Sequence, residues 1–267
     1  MKTNVVQRWS KRRGVYLRAD TTIATALYDV EPIPDDRTAK AFVLEHHYSA
    51  SYPSAQRRYG LYCLGDLVGV AVFSVPMQAR VLDRCPGDRQ SSTELGRLVL
   101  RDSVPANGES WFVRRCFELL ASEGFTGIVS FADPVPRTTL AGEQLFVGHV
   151  GTVYQALNAT YAGRSSAATL RLLPDGRVLS ARALAKIRAR DQGWRYSAAM
   201  LELAGADPLD DHEDAAAWVR RWVPAVTRKL RHHGNHVYVW ALDKRLRPRL
   251  PAPRPYPKLE FVPQTLF

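Results

Sequence analysis

In the stretch RRYGLYCLGDLVGVAVFSVP, residues 57–76, two β-rich runs are joined at Gly65-Asp66. A connection this short makes the strands an antiparallel hairpin, because a parallel return needs a crossover of about a dozen residues or more. The flanking segments read outward from that hairpin. TTIATALYDVEPI (21–33) alternates like a strand, and DRTAKAFVLEHH (36–47) has helical spacing with an Asp at its start. ELGRLVLRD is a further strand, and NGESWFVRRCFELLASEG is an amphipathic helix from a polar start to a Gly stop. GIVSFADP is a buried strand ending in an Asp-Pro loop, and VGTVYQALNATYAG a short helix stopped by Gly163. TLRLLPDGRVLS is a second hairpin turning at PDG, residues 181–204 and 212–231 are helical, and HVYVWALD is the last strand. RPRLPAPRPYPK is too rich in proline for helix or central sheet. The predicted architecture is α/β. It is a mixed β-sheet flanked by helices in one domain over 1–247, with a helical insert near 181–231, and then an extended basic proline-rich arm over 248–267.

Charge narrows the partner. Lys and Arg number 37 against 26 Asp and Glu, a net +11, with a sequence pI near 9.8. The basic residues come in short groups, KRR at 11–13, RR at 57–58 and 114–115, RKLR at 228–231 and KRLRPR at 244–249, as on a charged face rather than a tail. Such a face favours an anionic partner, nucleic acid first and an acidic membrane surface second. Arg57, Arg58, Trp111, Lys244, Arg245 and Arg247 are the candidate DNA contacts. Cys63, Cys85 and Cys116 are odd in number and form no CxxC pair, so neither a disulfide framework nor a zinc finger is indicated and a cytoplasmic location is expected. No run is long and apolar enough for a membrane span.

The chemistry-bearing residues gather at element ends. His46, His47, Tyr48 and Ser49 close a helix, Asp133 closes a strand, and His149 and Tyr154 begin the next helical segment. Such ends are where α/β folds place sites. If His47, Asp133 and His149 converge, two imidazoles and a carboxylate make a ligand set for Fe(II) or for zinc; the competing reading is histidines bonded locally. HHGNH at 232–236 reads as a solvated loop, and Ser110 as a helix cap. Neither GxGxxG nor GxxxxGK[ST] occurs, which argues against a nucleotide-hydrolysing engine.

EHHYSASYP, YGLYCLGDLVGVAVFSVP, ELGRLVL, NGESWFVRRCFELL, SFADP, HVGTVYQALNATYAG and VYVWALDKRLR with PYPK occur in that order across most of residues 40–258. Together they resemble the Mom family of phage DNA-modification proteins. The resemblance implies a GNAT-like fold and modification of the adenine N6 amine in double-stranded DNA to a carbamoylmethyl (acetamido) adduct that protects DNA from restriction. It implies functional roles for His47, Tyr48, Tyr62, Ser110, Asp133 and Tyr154, to which the helix-end group adds Ser49. It also implies bound iron, with His47 and Asp133 as ligands; His149 as third ligand comes from the residues alone. Acetyl-CoA or another small-molecule donor is expected, although VPANGESWF stands where ordinary GNAT enzymes carry a pyrophosphate-binding loop. The loop VPRTTLAGEQLFVG after ADP is longer than in the family pattern. The competing readings are a GNAT-like N-acyltransferase for a protein or small-molecule amine and a non-catalytic DNA-binding protein.

Overall fold

The computed structural model describes residues 5–10, 13–18, 21–49 and 51–258. The strands and helices, in chain order, are β1 (Val5–Ser10), β2 (Arg13–Arg18), β3 (Tyr28–Pro32), α1 (Asp36–His46), β4 (Ala55–Cys63), β5 (Asp66–Ser74), β6 (Ser92–Leu100), α2 (Gly108–Ser122) and β7 (Gly127–Ala132). They continue with β8 (Arg137–Thr138), β9 (Gln144–Phe146), α3 (Thr152–Ala156), β10 (Thr160–Arg164), β11 (Ala168–Leu172) and β12 (Val178–Leu179). The last are α4 (Ala181–Ala189), α5 (Trp194–Glu202), α6 (Ala215–Val226), β13 (Arg228–His232) and β14 (His236–Ala241). The chain divides into two compact units, one of residues 1–134, 148–165 and 235–267, the other of 135–147 and 166–234.

The first unit holds a seven-stranded sheet of order β10-β14-β7-β6-β5-β4-β3, the mixed sheet flanked by helices that the sequence predicts. Towards its β3 edge lies the hairpin of residues 57–76, whose two-residue turn is Leu64-Gly65, both at positive φ, with Cys63 opposite Asp66. The turn thus falls one residue earlier than expected, because its αL conformation is needed at both central positions. On one face α2 buries Phe112, Val113, Cys116 and Leu120 against Tyr59, Leu61, Phe73, Leu95 and Ile128. Each such side chain, fully desolvated, contributes about 1.5–3 kcal/mol. Gly124, at φ +91°, ends α2, and the Phe125 N–H returns to Leu120 O. On the other face α1, capped by Asp35 accepting from the Thr38 N–H, buries Ala39, Phe42 and Val43 against Val70, Val72 and Val99.

One feature of the sheet positions the site. Strands β6 and β7 are the parallel pair among antiparallel neighbours, and their pairing runs from Ser92–Gly127 to Leu95–Ser130 and stops. β6 continues along β5 to Leu100, while β7 continues along β14 to Ala132, so the two strands part after Leu95 and Ser130. Gly96 is the extra residue of a bulge, since Phe73 faces Leu95 and Val72 faces Arg97. A Cβ there would lie 2.4 Å from Ser74 Oγ, which is why the position is glycine.

The second unit packs α4, α5 and α6 around Trp218, Ile187 and Leu201, beside a three-stranded antiparallel sheet β12-β11-β13 and the β8–β9 hairpin. Several sequence expectations need correction. Residues 21–33 are not one strand, because 25–27 form a 3-10 turn before β3. The helix expected through Gly163 ends at Ala156, where Asn158 adopts φ 55°, and residues 160–164 pair with β14. Residues 181–204 break into two helices where Arg190 and Gly193 take positive φ. Residues 228–232 are strand, not helix, since they find five partners along β11. Residues 247–249 close a 3-10 helix (Lys244–Arg249). The following arm lies against the first unit through Arg254 N–H to Tyr161 O, Tyr256 Oη–H to Ala159 O and Gln155 Nε2–H to Pro257 O. Its end, 259–267, lies outside the described residues, as do Lys11 and Arg12 of the KRR group.

Candidate functional site

His47 follows the last residue of α1 and is buried, with 6% of its surface exposed. Its Nδ1 accepts the Ser49 backbone N–H at 3.1 Å and lies 2.9 Å from Ser49 Oγ. Ser51 Oγ–H donates to Ser49 Oγ at 3.2 Å, and Arg97 donates from Nη2 to Ser51 Oγ at 2.7 Å and from Nε to Ser51 O at 3.0 Å. The donors therefore run one way, from the Arg97 guanidinium through two hydroxyls to Nδ1. With an amide N–H aimed at Nδ1, that nitrogen is the acceptor and the ring proton sits on Nε2. Burial, and then the positive charges of Arg97 and His149, hold the His47 pKa well below the usual histidine range. The ring is thus a neutral imidazole presenting Nε2–H, stacked on Tyr48 at 4.3 Å between centroids.

The parting of β6 from β7 brings groups from both sheet faces within electrostatic reach. Glu94 and Arg97 come from β6, Ser130 from β7, and Tyr154 from α3. Burial raises the Glu94 pKa, with Arg97 opposing. Burial lowers that of Arg97, against the pull of Tyr48, Glu94 and Tyr154. Burial also raises that of Tyr154, against a hydrogen bond from Ser130. Glu94 makes no hydrogen bond or ion pair among the described residues, so its carboxylate has acceptor capacity to spare. The loop 148–151 is fixed beside them. The His149 N–H donates to Asp133 O at 2.8 Å. Gly151 sits at φ +75°, where a Cβ would lie 2.7 Å from the Tyr238 ring and 2.8 Å from that of Tyr154.

Of the residues singled out from sequence, His47, Tyr48, Ser49, His149 and Tyr154 come together here, and Asp133 adjoins through its carbonyl. Tyr62 does not; it lies near the turn of β4, opposite Asp29 of edge strand β3, and burial and then Glu31 raise its pKa. Two strand spacings, about 10 Å, separate its strand β4 from β6. Ser110 is inside α2 rather than its cap; it donates to Asn107 O at 3.1 Å, and Asn107 holds the cap position at φ 67°. Trp111 lines a groove with Tyr28, Asp29, Arg115 and Glu118 at the β3 edge. Two of the expected DNA contacts are occupied within the fold. Arg57 bonds Glu123 and lies over Phe125, while Arg58 bonds Ile33 O, Pro34 O and Asp36. Arg245 is paired with Asp243, whereas Lys244 and Arg247 are exposed without an ion pair among the described residues. HHGNH is not a solvated loop. His232 and His236 are buried, His232 Nδ1 accepting from Gly234 N–H and His236 Nδ1 bonded to Tyr161 Oη; burial and then Arg164 depress His236 to about 4.

The Fe(II) expectation does not fit. Among the described residues no group of three or more His, Cys, Asp or Glu is arranged to hold a metal ion. At His47 the reason is chemical. A metal-bound imidazole ligates through one nitrogen and donates from the other, but Nδ1 here meets an N–H donor and Nε2 carries the proton. The neighbouring Arg97 adds unfavourable positive charge. The pyrophosphate cradle is likewise not offered by 104–108, since the N–H groups of Val104, Ala106 and Gly108 already donate to Arg101 O, Thr21 O and Pro105 O.

Sequence reasoning missed Glu94, Arg97, Ser51 and Ser130. The available signal was ELGRLVL itself, with two charges three residues apart on a strand otherwise apolar enough to be central.

A family model described as the Mom protein family matches residues 27–258. No curated protein matches the chain. Among solved structures, a tandem GNAT protein from the clavulanic acid biosynthesis pathway is 9% identical over 81% of this chain and 99% of its own, with TM-score 0.43. A mutant agmatine N-acetyltransferase in its apo form is 11% identical over 80% and 99%, at 0.37, and an acetyltransferase of Bacillus subtilis in complex with CoA 10% over 80% and 98%, at 0.35. Scores this low carry no argument about function, and the fold rests on the sheet itself.

Proposed function

Since the chain belongs to the Mom protein family, we propose that it is a transferase that modifies the exocyclic N6 amine of adenine in duplex DNA, with a carbamoylmethyl group as the adduct. The observation that supports this most is a half-buried carboxylate, Glu94, whose pKa burial raises, on the same strand as Arg97, from which a hydrogen-bond chain runs through Ser51 and Ser49 to a neutral His47 imidazole, where β6 and β7 part.

Adenine N6 is stacked and paired inside a duplex, so the base must be extruded at a cost of a few kcal/mol. Tyr48 and Tyr154 supply aromatic surface for it. The N6 lone pair is delocalised into the ring and weakly nucleophilic, so it gains most from a base that takes its proton as the new bond forms. Glu94 is that base, and burial raises its pKa in the direction that makes it a better acceptor. In the transfer, the N6 lone pair forms the N–CH2 bond, the donor's leaving group departs with the electrons of the broken bond, and the surplus proton passes to Glu94. His47 Nε2–H donates to the donor's carbonyl oxygen. The product carries CH2 on N6, which sets the step apart from plain acetylation. The donor this step requires is a small molecule that carries a carbamoylmethyl carbon on a leaving group; acetyl-CoA, whose thiolate leaves from the carbonyl carbon, would give an N6-acetyl product instead.

The reading is tested by digesting plasmid DNA from cells expressing the protein with restriction enzymes whose sites contain adenine. Resistance that disappears with His47→Ala is expected. Complete cutting of DNA that the protein binds in a salt-dependent way would instead make it a DNA-binding protein without this chemistry.

A further inference from the structure

The second unit carries a cationic surface that the site chemistry does not use. In the antiparallel pairing of β11 with β13, Thr169 stands opposite Arg231 and Arg171 opposite Lys229. Residues two apart on a strand share a face, so these four side chains project to one side. Thr169, Lys229 and Arg231 are exposed and Arg171 is half-buried. Like charges directly opposite in a sheet repel, and here none of the three cations has an ion pair or hydrogen bond among the described residues. The unit does not lack carboxylates. Asp175 pairs with Arg177, Asp211 with Arg190 and Arg195, Asp214 with Arg220 and Glu213 with Arg221. These acids are taken up by other arginines, and none pairs with Arg171, Lys229 or Arg231 among the described residues.

We propose that the face formed by Arg171, Lys229 and Arg231 binds the phosphate backbone of duplex DNA; this rests on the DNA reading above. Cations two residues apart along β13 are spaced about 6.8 Å. Neighbouring phosphates on one DNA strand rise about 3.4 Å along the axis while turning around it, which puts them roughly 7 Å apart through space, so Lys229 and Arg231 match adjacent phosphates. Thr169 adds a hydroxyl donor beside them. Contacts of this kind position the duplex without reading its sequence.

The test is fluorescence-anisotropy titration of a labelled duplex over a range of salt. It compares wild type, Arg171→Gln/Lys229→Gln/Arg231→Gln, and the charge-matched control Arg195→Gln/Arg220→Gln/Arg221→Gln. With three phosphate contacts removed, the slope of log K against log salt is expected to fall by about 2.7 in the face variant and by less than about 1 in the control. The face variant is also expected to melt no lower than wild type, because the cross-strand repulsion is gone. A face variant whose slope matches the control, while wild type binds DNA, overturns this assignment and leaves the DNA reading standing. Wild type without salt-dependent duplex affinity overturns the DNA reading and this proposal with it. Binding of phosphatidylserine vesicles in place of DNA would overturn it also.

Discussion

The neutral state of His47 has a thermodynamic signature that can be measured without substrate. In the unfolded chain a histidine titrates near pH 6.5. In the folded protein burial and the charges of Arg97 and His149 place His47 well below that. As pH falls through about 6.5 the unfolded state therefore binds a proton that the folded state refuses, and the stability present above that pH is lost until the folded group also titrates. From about pH 7.5 to about pH 5.5 the linkage integral for one such group is about 1.4 kcal/mol, because the unfolded histidine's proton binding over that window integrates to one full pKa unit. His236 is depressed as well, to about 4, so wild type alone reports more than one residue. The informative quantity is the difference between wild type and His47→Asn, in which the His236 contribution cancels and the side-chain carbonyl, placed where Nδ1 was, still accepts the Ser49 N–H. Urea unfolding at the two pH values is expected to show wild type losing about 1.4 kcal/mol more than the variant. Equal losses would mean that His47 is protonated in the fold and would refute its assignment as a neutral Nε2–H donor.

Other substitutions separate chemistry from scaffold. Glu94→Gln is expected to lower the rate of transfer by about 10²–10⁴-fold, with duplex affinity unchanged in a binding titration. Gly151→Ala forces a Cβ into the rings of Tyr238 and Tyr154 at a positive φ, so thermal melts should show a loss of more than about 1 kcal/mol, together with reduced activity. Arg58→Gln, which gives up bonds to Ile33 O, Pro34 O and Asp36, should lower the melting temperature while leaving the salt slope of DNA binding within experimental error.

The sequence exposed those parts of the fold that depend on local periodicity and turn chemistry. The β4–β5 hairpin, α1 with its acidic start, α2 with its Gly124 stop, and β14 all follow from such signals. The second unit was less legible. Arg228–His232 look helical after α6, and only pairing with β11 makes them a strand, a tertiary choice that overrides local preference. The site divides in the same way. His47, Tyr48 and Ser49 stand out because polar groups crowd a helix end, but Glu94 and Arg97 acquire meaning only once β6 and β7 part at Leu95 and Ser130. Arg57 and Arg58 look like free surface charge in the sequence, yet the fold has already bound them to Glu123 and Asp36. The misfit of iron at His47 follows from one backbone N–H, that of Ser49, whose direction no residue pattern reveals.

The proposed chemistry is tested most directly by mass spectrometry of nucleosides from plasmid DNA of cells expressing the protein, beside cells expressing Glu94→Gln and His47→Ala. A deoxyadenosine species heavier by one carbamoylmethyl group is expected with wild type, and its loss with either variant. Unmodified deoxyadenosine in DNA from cells with abundant wild-type protein that binds duplex DNA would contradict the proposed function.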